Sequence, residues 1–291
     1  MILKIDPECI SCFLRQAIEA TEIATSNVKL QYQTLKKVAE YLNKIDLAQA
    51  IHIEIGSEIH RIVRKVTGNP DPYRDLKRQS NRLALKILSS TPSTEYRQFT
   101  SAVKMAAAGN IIDYGAIATT TDLKGVFAKA LKAEIDWKKV RAVKRLVDRS
   151  KKILYICDNA GEIVFDKILV TFLRDRGIDV CVVVRGGAVL NDATMEDAEG
   201  VKMTKIAKVI TTGTDVSGIL LEECSDAFLK RFNDADLMIS KGQGNLESLV
   251  NVERKPTTVY LLKVKCNPIA KILGSRVDLT EVVIQRKAQI K

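Results

Sequence analysis

The stretch "KKILYICDNAGEIVFDKILVTFLRD", Lys151 to Asp175, holds two periodicities with a break between them. Its first part is a short β-branched and aromatic run that reads as a strand, and from Gly161 onward apolar residues recur at helical spacing. Asp158 and Asn159 therefore stand where a strand turns into a helix. In an open α/β sheet that edge is where ligands bind.

The same alternation continues to the carboxyl end. The runs "DVCVVVRG", "AKVITTG", "ADLMISKG" and "TTVYLLKVK" read as further strands separated by helical stretches, the pattern of a parallel sheet wrapped by helices. Ahead of Lys151 the period is helical: "CISCFLRQAIEATEIA", "LQYQTLKKVAEYLNKI" and "QAIHIEIGSEIHRIVRKVTG" each space apolar residues three and four apart. The expected architecture is α/β. An all-helical domain over residues 1–150, divisible into sub-units of about 1–75 and 76–150, faces a doubly wound, mostly parallel α/β domain over 151–291, with a cleft between them.

Composition narrows the function. A chain of 291 residues with 46% hydrophobic and 28% charged residues has the balance of a globular protein. No apolar run reaches membrane-spanning length, and the start "MILKIDPECISC" lacks the long apolar segment of a signal peptide. Six dispersed cysteines do not resemble a disulfide scaffold. A cytoplasmic protein without a membrane partner is expected. The formal charge of +11 invites a nucleic-acid partner, but much of it lies in "WKKVRAVKRLVDRSKK", where Val140, Val143 and Val147 share one helical face and the basic residues form its solvated side. Only 5% of residues are aromatic, which disfavours base-stacking platforms.

Each strand in the second half ends in polar or glycine-rich sequence. Asp158 and Asn159 follow the first, "LNDATMEDA" with Asn191 and Asp192 follows the second, and "SKGQGNLES" with Lys241, Gly242, Gly244 and Asn245 follows the fourth. Two carboxylates and an amide oxygen are hard ligands that suit Mg²⁺ or Mn²⁺ with positions left for water and a phosphate. Lys241 supplies a positive charge and the glycines let backbone N–H groups approach phosphate oxygens. Taken singly, an Asp or Asn at such a junction reads as a helix N-cap. Their joint appearance at one sheet edge reads as a metal-assisted phosphoryl site. A further break in "AAAGNIIDYG" presents Asn110 and Asp113, as a cap and turn or as groups reaching the cleft.

Four familiar chemistries lack their sequence marks. A haloacid-dehalogenase nucleophile needs an acid two positions after Asp158, where Ala160 stands. "KGQGN" is not a Walker loop. "DNAGEIV" lacks the glycines of a dinucleotide fingerprint, and no glycine-rich loop follows the first strand to hold an adenosyl methyl donor.

"CDNAGEIVFD", "LNDATMEDA", "SKGQGNLESL" and "LLKVKCNPIA", with "ECISC" at the start and "AAAGNIIDYG" in the middle, resemble the metal-dependent damage-control phosphatases, once catalogued as a domain of unknown function. The resemblance spans nearly the whole chain and is nearest the stand-alone archaeal-type subfamily with an amino-terminal Cys-x-x-Cys. It implies a helical domain on a Rossmann-like α/β domain, and one divalent metal (Mn²⁺ or Ni²⁺, with Co²⁺ or Mg²⁺ as alternatives) held by Asp158, Asn159 and Asp192. It further implies hydrolysis of phosphate esters of damaged small metabolites, oxidised purine nucleotides or their precursors among them.

On that reading Lys241 and the backbone from Gly242 to Asn245 neutralise the phosphate, and Asp158 or Asp192 aids proton transfer. Asn110 and Asp113 contact the substrate from the helical half, and Glu162 orders the loop behind the ligands. The rival is a non-catalytic metal and nucleotide-phosphate binder or sensor. Cys9 and Cys12 fit a zinc half-site, a redox pair or ordinary helix-start cysteines, with His52 and His60 as the available imidazoles. Cys157 and Cys181 read as small core residues.

Overall fold

The computed structural model describes residues 5–92, 96–109, 125, 131, 135–253 and 256–286. Its first half is helical: α1 (Glu8–Ala24), α2 (Val28–Leu42), α3 (His52–Thr67), α4 (Arg74–Ser89), α5 (Phe99–Gly109) and α6 (Trp137–Val147). The strand and helix of the opening stretch follow as β1 (Lys152–Ile156) and α7 (Glu162–Arg174). Then come β2 (Asp179–Val184), α8 (Met195–Gly200), β3 (Lys208–Thr211), α9 (Asp226–Asp234), β4 (Leu237–Lys241), α10 (Gln243–Leu249), β5 (Thr257–Lys263), α11 (Asn267–Leu273) and β6 (Thr280–Gln285).

The six strands form one sheet in the order β3-β2-β1-β4-β5-β6, parallel except for β6. Strand order reverses between β1 and β4, the position at which the loops leaving a doubly wound sheet part and open a crevice. β6 escapes the sequence reading because its apolar run, Val282 to Ile284, is only three residues long, too short to read as a strand on its own.

Hydrophobic burial divides the helices. α1, α2 and α3 share a core built on Phe13, Ala17, Val38, Ile55 and Ile59. α4, α5, α6 and α7 instead pack with Ile153, Tyr155 and Val182 on one face of the sheet. The basic α6 buries Val140, Val143 and Val147, and its lysines and arginines point outward as the 3.6-residue period requires. Leu154, Ile156, Met238 and Phe228 form the core of the opposite face. Among the described residues no helix is long and apolar enough to cross a membrane.

Candidate metal and phosphate site

The backbone assembles the site before any side chain does. Beyond the ends of β1 and β2, Asn159 and Asp192 form an isolated antiparallel bridge. The amide of Ala193 donates to Asp158 O at 2.8 Å, and that of Ala160 to Asn191 O at 2.9 Å. Two loops that leave adjacent parallel strands are thus fastened together over three residues, and Asp158, Asn159 and Asp192 converge. Asn81 of α4 straddles the pair: its Oδ1 accepts from the Gly161 amide at 2.7 Å and its Nδ2 donates to Asp197 Oδ1 at 2.8 Å. Asp197 in turn closes a capping box with Thr194 at the start of α8.

The side chains behind these loops are buried and committed. Asn159 Nδ2 donates to Asp158 Oδ2 at 3.0 Å and to Glu162 Oε1 at 2.8 Å, which leaves its amide oxygen as the atom on offer to a ligand. Arg185 reaches three loops at once. It donates to Asp192 Oδ2 at 2.7 Å, to Gly218 O at 2.9 Å and to Asn245 Oδ1 at 2.8 Å. Asn245 Nδ2 then donates to the carbonyls of Cys157 and Lys241.

Lys241 is 0% exposed, and its ammonium lies 3.1 Å from Glu162 Oε2 and 2.9 Å from Asp166 Oδ1. Burial opposes its charge, but the two carboxylates outweigh burial and hold it protonated well beyond the usual lysine range. Tyr155 adds a hydrogen bond to the same Asp166 oxygen at 2.7 Å.

This arrangement changes the expected roles of two residues. Lys241 does not stand as a mobile cation on the substrate side, because α7 presents Glu162 and Asp166 one turn apart and both need a buried counter-charge. Asn245 likewise braces β1, β2 and β4 from behind. Glu162 takes the expected place behind the ligand loop. Gly244 lines the pocket with Asp158, Asn159 and Asp192. Gly242 lies against Asp158 itself: at φ +79°, a Cβ there would fall 1.9 Å from Asp158 Oδ2. Asn110 and Asp113 lie outside the described residues.

Three carboxyl groups crowd one small volume. Burial raises Asp158 well above its ordinary 3.8, and the charges of Glu162 and Asp192 raise it further against Lys265 and Arg185. Burial also raises Asp192, opposed by Arg185. Arg185 and Lys241 bind Asp192 Oδ2 and Glu162 Oε2 from behind, and Asp158, Asn159 and Asp192 line the pocket. Two carboxylates whose charge burial disfavours, beside an amide oxygen, are hard donors that fit a divalent cation.

The pocket in front measures about 170 Å³, and its remaining wall comes from Gln16, His52, Ile53 and Gly56 of the helical half and from Lys265 after β5. A second cavity of about 420 Å³ adjoins it, sharing Gln16, His52, Gln243, Glu247 and Lys265. Sequence reasoning missed Arg185, although an arginine ending the apolar run "CVVVRGG" carries a signal, since a cation there is buried unless the strand stops short. It also passed over Lys265 of "LLKVKCNPIA" as a pocket residue.

The chain matches the damage-control phosphatase ARMT1-like domain over residues 5–279. It is 40% identical over 294 residues to a protein of Methanocaldococcus jannaschii described as uncharacterized, covering 98% of this chain and 96% of the relative. It is 34% identical to a damage-control phosphatase of Pyrococcus horikoshii, covering 93% and 94%, and 31% identical to one of Archaeoglobus fulgidus, covering 97% and 100%. The crystal structure of a DUF89-family protein from Pyrococcus horikoshii superimposes with a TM-score of 0.87 at 32% identity, covering 98% of this chain and 99% of the other. With its sheet order, its fastened strand-end loops and this match along nearly its whole length, the chain belongs to the damage-control phosphatase ARMT1-like family.

Proposed function

We propose that the protein is a metal-dependent phosphatase acting on phosphate monoesters of small metabolites, with one divalent ion held by Asp158, Asn159 and Asp192. The carrying observation is the fastening of the β1 and β2 loops through the Asn159–Asp192 bridge, which brings two carboxylates and an amide oxygen to one pocket. Carboxylate and amide oxygens suit Mn²⁺ or Mg²⁺, and the family resemblance adds Ni²⁺ and Co²⁺ to the metals to try. When bound, the ion supplies Lewis-acid polarisation of a phosphoryl oxygen.

The chain's own groups do the rest. Lys265, at the rim, offers a cation to the phosphate oxygens. Gly244 permits close approach of backbone to the phosphate, since it carries no side chain into the pocket wall. Asp192 is oriented through its Oδ2 by Arg185, which leaves Oδ1 toward the pocket. Asp158 Oδ1, free of the Asn159 bond, is placed to hold a proton taken from an attacking water. The part of the substrate beyond the phosphate extends into the adjoining cavity past His52 and Gln16. The name of two relatives, damage-control phosphatase, makes phosphometabolites carrying chemical damage the panel to assay, and the family resemblance puts oxidised purine nucleotides first in it.

The test is phosphate release from p-nitrophenyl phosphate and that panel by chelator-stripped protein, with each divalent metal restored in turn. Turnover should require metal and fall more than about 100-fold in Asp158→Ala and Asp192→Ala, above the 10–100-fold typical of residues behind a ligand. Turnover that survives stripping or either substitution overturns the assignment. Metal binding without turnover on any substrate assigns a binding or sensing role instead.

A further inference from the structure

The motif that the phosphatase chemistry leaves unused is Cys9-x-x-Cys12. Cys9 lies in the first turn of α1 and Cys12 one turn on, and both line the cavity that adjoins the phosphate pocket. In the same cavity stands His52, the first residue of α3. His52 Nδ1 lies 2.9 Å from Glu247 Oε2, and the ring packs on Phe13 with centroids 4.7 Å apart. The imidazole is therefore held on one side by a carboxylate, in a cavity that both sulfurs line. Gln16 Nε2 donates to Cys12 Sγ at 3.4 Å, and the Arg15 guanidinium lies 3.9 Å from it.

We propose that Cys9 and Cys12 form a reversible thiol–disulfide pair at the mouth of the phosphate pocket, with Cys12 as the attacking sulfur, His52 and Glu247 as its activating groups and Cys9 as the resolving sulfur. A sulfur next to an imidazolium and a guanidinium, half-buried and one turn from a second thiol, has the surroundings of a reactive cysteine.

The electrostatics agree. The hydrogen bond from His52 lowers Cys12 below its ordinary 9.0, while burial raises Cys157, Cys181, Cys224 and Cys266. Burial opposes the charge on His52, but its bonds to Cys12, Cys9 and Glu247 push it up to about 12.

With a hydroperoxide ROOH as oxidant the reaction balances in two steps. The Cys12 thiolate attacks the distal peroxide oxygen, an S–O bond forms, the O–O bond breaks, and the departing alkoxide takes a proton from His52 to leave as ROH. Cys9 sulfur then attacks the sulfenic sulfur, its thiol proton joining the departing hydroxide as water. Two thiols are oxidised to one disulfide and the peroxide is reduced to ROH and water.

Geometry makes the bond reversible. Residues three apart on a helix have Cβ atoms about 5–6 Å apart, against about 3.5–4.5 Å in a disulfide, so closure must tighten the first turn of α1. A bond closed against such strain is readily reduced. That turn is capped by Asp6, whose Oδ1 accepts from Glu8 N at 3.0 Å and whose carbonyl accepts from Cys9 N at 2.8 Å, so tightening it works against these bonds. Because Gln16, His52 and Glu247 line both cavities, closing the disulfide would change the partners of a wall that the two cavities share.

Two sulfurs and a carboxylate-held imidazole also compose a zinc half-site. A closed structural zinc takes four ligands, and Glu247 is engaged with His52 Nδ1 rather than left to serve as the fourth.

The experiment needs no phosphatase assay and so stands apart from the proposed function. Reduced full-length protein is treated with hydrogen peroxide, quenched with maleimide and mapped by peptide mass spectrometry. Expected are a Cys9–Cys12 disulfide reversed by dithiothreitol, a dimedone-trapped sulfenic acid at Cys12 in Cys9→Ser, and oxidation slowed about tenfold or more in His52→Gln. Cys224, whose thiol burial pushes up to about 11, serves as the internal slow reference. Cys12 oxidising no faster than Cys224, or both motif thiols alkylating fully after peroxide, overturns the proposal. So does purified protein carrying stoichiometric zinc that shields both thiols until chelated, which would make the site a metal centre.

Discussion

The strand-end loops and the face of α3 that stands over them are held by opposite means. Around β1, β2 and β4 the charges are fully buried: Arg185 with Asp192, and Lys241 with Glu162 and Asp166. Across the cleft, Arg61 and Arg64 of α3 bind Asp215, and Arg61 also binds Glu223, through side chains that remain between 17% and 37% exposed. A buried pair is costly to assemble and costlier to halve, whereas a half-exposed pair contributes little and is screened by salt. One wall of the pocket is therefore held by buried charge, and the other, which carries His52, Ile53 and Gly56, by half-exposed ion pairs beside the small Ile53, Val216 and Leu220 cluster and the His52–Glu247 pair.

Breaking the wall held by buried charge should give the largest effect. Lys241→Met keeps the bulk and removes the cation, stranding Glu162 and Asp166, one of whose oxygens, Asp166 Oδ2, already has no partner. A loss of about 3–5 kcal/mol is expected, a large fraction of the stability of a domain this size. Urea unfolding measures it, and a midpoint unchanged from wild type would show that the buried cluster does not hold the strand ends.

A smaller perturbation sharpens the same point at the site itself. Gly242→Ala adds one methyl group, yet that methyl would overlap Asp158 Oδ2 and require a left-handed alanine. Displacing Asp158 should weaken Mn²⁺ binding by about 10–100-fold, with about 1–3 kcal/mol lost in stability. Calorimetric titration reads the first and thermal unfolding the second. Full metal affinity in a folded Gly242→Ala protein would mean that Asp158 has room to move, contrary to a fixed wall.

The contrast also explains what the sequence could disclose. Asp158 and Asn159 are legible because they end an apolar run at a strand-to-helix switch, whereas Asp192 lies eight residues past the end of β2 and meets them through the Asn159–Asp192 bridge. The direction of Lys241 is not legible from "ISKGQGN", since the last residue of a strand can face either way. The clue lies elsewhere, in Glu162 and Asp166 spaced four apart on a helix otherwise apolar enough to be buried, a pair that demands a cation. His52 meets Cys9 and Cys12 across some forty residues of chain, through the packing of α1 on α3, which no local pattern encodes. β6, with an apolar run of only three residues, is too short to read as a strand on its own.

The smallest effect should come from the wall held by half-exposed pairs. Asp215→Asn releases Arg61 and Arg64 from their shared carboxylate but leaves all three in reach of water, so the cost should be no more than about 1 kcal/mol. The sign with pH follows from the carboxyl group. Burial raises Asp215, but the hydrogen bonds and charge of Arg61, with Arg64, outweigh it and hold the group below its ordinary 3.8. A depressed carboxyl stabilises the fold above its unfolded value and loses that contribution as pH falls through its folded value. The difference between wild type and Asp215→Asn should thus be constant from neutrality down to about pH 4 and vanish below it. It should also shrink in 1 M salt, where the screening length falls to about 3 Å. Denaturant titrations at several pH values and two salt concentrations test both trends. A loss of several kcal/mol, insensitive to salt, would instead place α3 in the same class as the strand ends, and a pocket with two fixed walls would have to admit its substrate without any give from the helices.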